Sequence, residues 1–306
     1  MNNDRQKLII IGGPTASGKS SLAVELARHF RGEVLNADSM QVYRDMDVGT
    51  AKPSVEERRG ITHHLLDVVD PDEPFNAAIY RAMAVPLINE IALKKKLCFV
   101  VGGTGLYIKV LLGGLIDCPP SVPAFREKMQ QECDRTGPDV LYKRLKMLDP
   151  ESASKIHPHD SMRIIRALEI IYFTHERPSS LMRRHGFREG PFRALKICLQ
   201  MDRKQLYHRI NERCHFMIKN GLVGETEGLL KKGYSSHLKP MKSLGYRHMI
   251  KYIKGAWELD EAVHRLQADT RRYAKRQLTW FRADPEVHWM VPAELDNIIK
   301  KISAFL

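Results

Sequence analysis

Along the first hundred residues, short apolar runs alternate with amphipathic stretches. Leu8-Ile9-Ile10-Ile11 is a continuous, largely β-branched apolar run, the pattern of a strand buried on both faces. Leu22, Ala23, Leu26 and Ala27 then share one face of a predicted helix that reaches about Phe30. Glu33-Val34-Leu35-Asn36-Ala37 predicts a second strand ending at Asp38-Ser39, and Leu65 to Val69 a third, closed by Asp70-Pro71. Met40 to Pro53 is polar and irregular, the texture of a loop laid over a site. Asn76 to Lys96 has helical spacing, with Ile79, Met83, Leu87, Ile88 and Ile91 as its stripe. Leu97-Cys98-Phe99-Val100-Val101 predicts a further buried strand before Gly102-Gly103-Thr104-Gly105. Strands separated by helices imply a parallel sheet with crossover helices, and such sheets bind ligands beyond the carboxyl ends of their strands. Ser20, Asp38 and Thr104 each fall just past such an end.

The texture changes near Asp117-Cys118-Pro119-Pro120. From Ser121 to about Arg193 the pattern is helical and charged, without a strong strand signal. Ala194 to Leu199 resumes as a strand, Asp202 to Asn220 as a long helix, and helices continue through Lys251 and from Leu259 to Phe281. This order predicts a helical insertion, 121–193, between a first core part, 1–120, and a completing part with C-terminal helices, 194–306.

Between the first strand and helix, Gly13-Pro14-Thr15-Ala16-Ser17-Gly18-Lys19-Ser20 matches the P-loop pattern in its confirming context. Glycines allow a tight turn whose N–H groups point inward, and the helix N-terminus adds partial positive charge. Lys19 can neutralise phosphate oxygens and the Ser20 hydroxyl can join a Mg²⁺ shell. The expected fold class is therefore α/β, a P-loop NTPase-like parallel-sheet core with a helical insertion domain.

Charge narrows the partners. With 306 residues and a formal charge of +13, the chain suits a polyanionic partner or a steering field. Cys98, Cys118, Cys133, Cys198 and Cys214 are scattered and odd in number, which argues for a reducing compartment and against a Cys-ligated zinc site. The polar N-terminus and the lack of an 18-residue apolar stretch point to a cytoplasmic protein with no membrane partner.

At the end of its strand, Asp38 suits a carboxylate that holds Mg²⁺ or takes a proton from a nucleophile; position alone equally allows an Asx turn or a helix cap. Thr104 sits in what looks like a second phosphate-facing turn. Adjacent residues on a strand point to opposite faces, so His63 and His64 are expected to be structural. His157, His159 and Asp160 have ligand-like types but flank Pro158, and read as a polar loop. Basic groups recur with aromatics: Arg163 and Arg166 on one helix face; Arg183, Arg184 and Arg188 around Phe187; Lys242, Arg247, Lys251 and Lys254 among Tyr246 and Tyr252; and Arg271 to Arg282 with Tyr273, Trp280 and Phe281. Single clusters are usually solvated helix faces, whereas several together favour nucleic acid.

In order along the chain, Gly13–Ser20, Asn36-Ala37-Asp38-Ser39-Met40-Gln41-Val42-Tyr43, Gly49-Thr50-Ala51-Lys52-Pro53, His63-His64-Leu65-Leu66-Asp67, Val101–Tyr107, Arg166-Ala167-Leu168-Glu169, Gly245-Tyr246-Arg247 and Tyr273–Arg282 resemble the tRNA dimethylallyltransferase family over nearly the whole length. The resemblance implies transfer of a dimethylallyl group from dimethylallyl diphosphate to the exocyclic amine of the adenosine 3′ of the anticodon. On that basis Asp38, Thr104 and Arg213 are catalytic, and Gly13, Pro14, Thr15, Ala16, Ser17, Gly18, Lys19 and Ser20 hold diphosphate rather than ATP. Ser20 and Asp38 are the Mg²⁺ ligands. The tRNA anticodon stem-loop is met by Asp38, Ser39, Met40, Gln41, Thr104, Arg126, Met162, Arg163, Ile164, Ile165, Arg166, Lys242, Ser243, Leu244, Gly245, Tyr246 and Arg247. Met162 departs from the polar residue usual there. The likeness is to the short bacterial form, expected to act as a monomer and to lack a zinc-finger extension after Leu306. A P-loop kinase is the alternative enzyme, and an RNA-gripping P-loop module the alternative without chemistry.

Overall fold

A computed structural model describes residues 5–187 and 190–306; Arg188 of the basic clusters lies outside them. The chain divides into two compact units, Met1–Leu112 with Pro191–Leu306, and Gly113–Gly190.

In the first unit, β1 (Gln6–Gly12), β2 (Glu33–Asn36), β3 (His63–His64), β4 (Cys98–Val101), β5 (Phe192–Leu199) and β6 (Val287–Met290) form one parallel sheet in the order β3-β2-β4-β1-β5-β6. β1 is central, with Ile11 paired to Val101 on one side and to Ile197 on the other. Its apolar run therefore has two faces to bury. Leu8 and Ile10 join Leu35, Cys98 and Val100 under α3 (Ala77–Leu93), α10 (Arg203–Lys219) and α13 (Leu259–Arg282). Ile9 and Ile11 join Val34, Phe99 and Ile197 against α1 (Lys19–His29) and α14 (Leu295–Phe305). After β1 the chain crosses to β2 on one side of the sheet, whereas after β4 it departs toward β5 on the other. The crevice between the ends of β1 and β4 is thus a topological switch point, where open α/β sheets hold their ligands.

Helix boundaries follow capping chemistry. The Asn76 side chain accepts the Ala78 and Ile79 amides at the start of α3, and that of Asp202 accepts the Lys204 and Gln205 amides at the start of α10. The strand expected at Leu65–Val69 is a correction: the paired residues are His63 and His64. Leu65 and Asp67 have φ of 60° and 55°, a left-handed turn no ladder can continue, and Val69 makes only an isolated bridge to Tyr43. Both histidines are structural, His64 bonded to the buried Glu33 at 2.7 Å and His63 to the Ile61 carbonyl at 2.9 Å. Beyond Phe281, β6 and α14 extend the architecture past the last helix expected from the sequence.

The second unit is helical: α5 (Pro123–Thr136), α6 (Pro138–Leu148), α7 (Pro150–Ser154), α8 (Ser161–Thr174) and α9 (Pro178–His185). In α5, α6, α7 and α9 a proline opens the first turn, where its missing N–H costs nothing. Met129, Leu141, Leu145, Ile164, Ile165 and Leu168 form its core. Two buried carboxylates tie the helices together. Asp149 accepts Ser152 Oγ at 2.6 Å and the Ser179 amide at 2.9 Å. Glu169 accepts the Val122 amide at 2.7 Å, Arg126 Nη2 at 2.7 Å and Arg166 Nη1 at 2.5 Å. No helix among the described residues is long and apolar enough to cross a membrane.

Candidate active site

The turn after β1 is shaped by backbone angles that side chains resist. Gly13 has φ of 138° and Gly18 of 88°, and an added Cβ on Gly13 would lie 3.2 Å from both the Leu199 backbone and Ser17 Oγ. Ala16, between them, is held at φ 63°. Lys19 opens α1 and donates to the Pro14 carbonyl at 2.6 Å. Ser17 Oγ is buried and has no hydrogen-bond partner among the described residues.

Above this turn is a cavity of about 330 Å³ lined by Thr15, Lys19, Ser20, Asp38, Ser39, Met40, Gln41, Arg213, Lys242, Ser243, Leu244, Gly245 and Arg247, among others. The fold thus brings together in space residues drawn from four separate stretches of sequence. The β2 and β4 ends meet closely: the Ala37 carbonyl accepts the Thr104 amide at 3.2 Å, and Thr104 Oγ1 accepts the Ser39 amide at 3.0 Å. Thr104 stands just behind the cavity wall. One oxygen of Asp38 accepts the Met40 amide at 2.8 Å, the Asx turn that position allowed, and the other takes no donor among the described residues. The turn and a chemical role therefore coexist in one carboxylate.

The electrostatics are lopsided. Burial, and then the Arg213 guanidinium, push Lys19 down from its ordinary 10.5 to about 8, with Asp38 opposing. Burial pulls Arg213 down as well, again with Asp38 opposing. Two desolvated cations thus share the field of Asp38, with Glu57 adding to it only at Arg213. This is unfavourable alone and suited to a dense anion. Burial and the charge of Asp38 raise Tyr273, which also lines the cavity.

For a metal, Ser20 and Asp38 offer a hydroxyl and a half-engaged carboxylate, and no cluster of three His, Cys, Asp or Glu side chains occurs among the described residues. Such a set fits a hard divalent ion held mainly by phosphate oxygens and water, and does not fit a dedicated protein cage.

Some expected contacts need correction. Ile164 and Ile165 are buried in the helical core, so their side chains are not offered to RNA. Tyr246 is also buried, its hydroxyl bonded to Glu225 at 2.5 Å. Arg126 and Arg166 are half-buried and clamp Glu169, whereas Arg163 is 67 % exposed with Asp160 beside it at 3.3 Å, and Met162 is 80 % exposed. Arg183 and Arg184 pair with Glu151 and Glu176.

Three wall residues went unmarked as site groups: Tyr273, Arg276 and Gln277, all from α13. Gln277 bridges the two turns, its Oε1 accepting the Thr15 amide at 2.9 Å and its Nε2 donating to the Gly103 carbonyl at 3.1 Å. The available signal was an amide on the buried stripe Leu266, Thr270, Ala274, Gln277, since buried polar groups require partners.

Fold and site together define a P-loop α/β protein whose cavity sets Lys19 and Arg213 beside the half-engaged carboxylate of Asp38. A family model described as IPP transferase matches residues 41–284, and one described as Isopentenyl transferase matches residues 6–73. The chain belongs to the IPP transferase family. It is 49 % identical over 287 residues to "tRNA dimethylallyltransferase 2" of Geotalea uraniireducens, covering 94 % of this chain and 93 % of the relative. It is 47 % identical over 302 residues to the tRNA dimethylallyltransferase of Desulfatibacillum aliphaticivorans, covering 99 % of each. Among solved structures, the tRNA isopentenylpyrophosphate transferase of Bacillus halodurans superimposes with a TM-score of 0.74 at 38 % identity, over 98 % of this chain and 96 % of that one. A eukaryotic dimethylallyltransferase acting on tRNA gives 0.80 at 30 % identity, over 95 % and 75 %.

Proposed function

We propose that this protein transfers a dimethylallyl group from dimethylallyl diphosphate to the exocyclic amine of the adenosine 3′ of a tRNA anticodon, releasing diphosphate. The observation that carries the reading is the half-buried pair Lys19 and Arg213 lining one cavity with the Asp38 carboxylate. A leaving diphosphate gains negative charge as its C–O bond breaks. Lys19, Arg213 and the P-loop amides are desolvated groups able to meet that charge without reorganising. The adenine amine is a weak nucleophile because its lone pair is delocalised. As the new N–C bond forms, its proton passes to the uncommitted oxygen of Asp38. Thr104, just behind the wall, supports it by accepting the Ser39 amide and standing near Tyr273.

Ser20 and Asp38 are the residues that would hold Mg²⁺, which would supply further charge neutralisation at the diphosphate. Lys242 and Arg247 rim the cavity, and Arg163 of the helical unit is an exposed cation suited to phosphate contact. The insertion, 121–193 in the sequence reading, grips the anticodon stem-loop beyond the reacting base, and one protein monomer serves one tRNA. The base leaves its stack to enter the cavity.

Incubation of the protein with bulk tRNA and either labelled dimethylallyl diphosphate or γ-labelled ATP tests this. Label from the prenyl donor should appear in tRNA as an N⁶-prenylated adenosine. Phosphoryl transfer from ATP, or no transfer from either donor, would overturn it.

A further inference from the structure

Glu225 is absent from the cavity wall, yet it makes the densest set of contacts to the segment that roofs it. It lies on α11 (Leu222–Lys231), and its carboxylate accepts the backbone N–H groups of Asp47 at 2.9 Å, Val48 at 2.7 Å and Gly49 at 3.0 Å. A fourth donor, the Tyr246 hydroxyl, reaches it at 2.5 Å. Three successive amides converging on one point form an anion nest, here filled by the protein's own side chain.

The roof segment has further holds. Thr50 Oγ1 donates to the Met46 carbonyl at 2.7 Å, and Lys52 donates to the Tyr43 carbonyl at 2.8 Å. Gly49 lies flat on the Tyr246 ring, where an added Cβ would come within 2.5 Å of Cζ. Immediately after the nest, the Thr50 carbonyl receives two donors from the site: Gln41 Nε2 at 3.3 Å and Arg213 Nη2 at 3.4 Å. Among the described residues no carboxylate forms a close ion pair with Arg213, so this carbonyl is an anchor that helps fix where its guanidinium points.

We infer that Glu225 is a positioning residue for the diphosphate end of the reaction: it holds residues 47–49 so that the Thr50 carbonyl aims Arg213 into the cavity. Tyr246 belongs to the same latch, which gives its buried place in the 242–247 segment a role other than contact with RNA. The inference rests on the proposed function for the reaction it serves, while its binding and exchange readouts do not depend on that reading.

The test compares wild type with Glu225→Gln, nearly isosteric and expected to fold, and Tyr246→Phe. Inorganic diphosphate affinity is measured by calorimetry, tRNA affinity separately, and amide exchange at residues 47–49 by mass spectrometry. Glu225→Gln should speed exchange at those amides, weaken diphosphate by ~10- to 100-fold, the scale of losing charge-assisted hydrogen bonds, and leave tRNA affinity nearly unchanged. Tyr246→Phe, which keeps the nest, should do the same to a lesser degree. In an Arg213→Lys background the Glu225→Gln effect should largely vanish, because the two act as one unit. Additive losses in that cycle, or faster exchange with unaltered diphosphate affinity, would leave Glu225 a purely structural latch and overturn the inference. A wild-type protein that binds diphosphate but transfers no prenyl group would instead overturn the proposed function, with the binding cycle still deciding the role of Glu225.

Discussion

Raising the pH through the range of Lys19 should release diphosphate from the free protein's site. Lys19 is held near 8 in place of 10.5, chiefly by burial and secondly by Arg213. A bound diphosphate places compensating negative charge beside it, so the complex keeps its proton to a higher pH than the free protein does. Below about 8 both forms are protonated and affinity is flat. Above it, binding must first restore a proton, and affinity falls up to tenfold per pH unit until the complex itself titrates. Each pH unit in that window is worth about 1.4 kcal/mol, so the full swing is on the order of 3 kcal/mol. Folding stability of the free protein moves oppositely. Between about 8 and 10.5 the unfolded chain binds the proton and the folded one does not, so this group makes stability rise with pH across the window. Calorimetry with a non-reactive diphosphate ester from pH 6.5 to 9.5, in wild type and Lys19→Met, is the assay. The variant should bind weakly at every pH and lose the downward bend near 8, as well as the accompanying proton uptake. A wild-type curve that stays flat to pH 9.5, or an identical bend in Lys19→Met, would refute the reasoning.

Asp38→Asn keeps the turn at Met40, since Asn caps as well as Asp, and should lower single-turnover transfer by ~10²–10⁴ with little change in tRNA affinity; activity within a few-fold of wild type would remove the carboxylate from the chemistry. Arg163→Ala should reduce the magnitude of the slope of log tRNA affinity against log salt by about one, whereas Arg166→Ala should chiefly lower the melting temperature because it takes one of two guanidiniums from the buried Glu169; equal effects on both readouts would contradict the split. Glu169→Gln, leaving two half-buried, partly solvated guanidiniums without their carboxylate, should cost ~1–3 kcal/mol in denaturant titration. Gln277→Ala strands the Thr15 amide and the Gly103 carbonyl, with an expected stability loss of ~1–3 kcal/mol and weaker diphosphate binding.

Strands β1 and β4 were legible because they are buried on both faces, which leaves a continuous apolar run in sequence, and β2 by the apolar pair Val34-Leu35 before Asn36. β3 was not: its two residues are histidines, and what holds them in the sheet is a ladder to β2 and the carboxylate of Glu33. β6, at the sheet's edge, has partly exposed residues on both faces and so carries neither a continuous run nor a clean alternation.

The site divides along a similar line. Lys19, Ser20 and Asp38 could be located from sequence because a turn between strand and helix is a local object, whose glycines and cap residues lie next to the groups they position. Matching a stretch to a family treats its residues alike, but a helix turns its neighbours by about 100° each. That is why Arg163 stays at the surface while Ile164 and Ile165 face the core one and two residues later. Gln277 and Glu225 are harder still. Their partners are backbone atoms 262 and 176 to 178 residues away, and no side-chain pattern marks a peptide N–H in need of an acceptor. The P-loop and the roof over it are therefore each fixed by polar side chains from the second half of the chain. Completing this site thus depends on polar groups of α11 and α13 that only long-range packing brings to these turns.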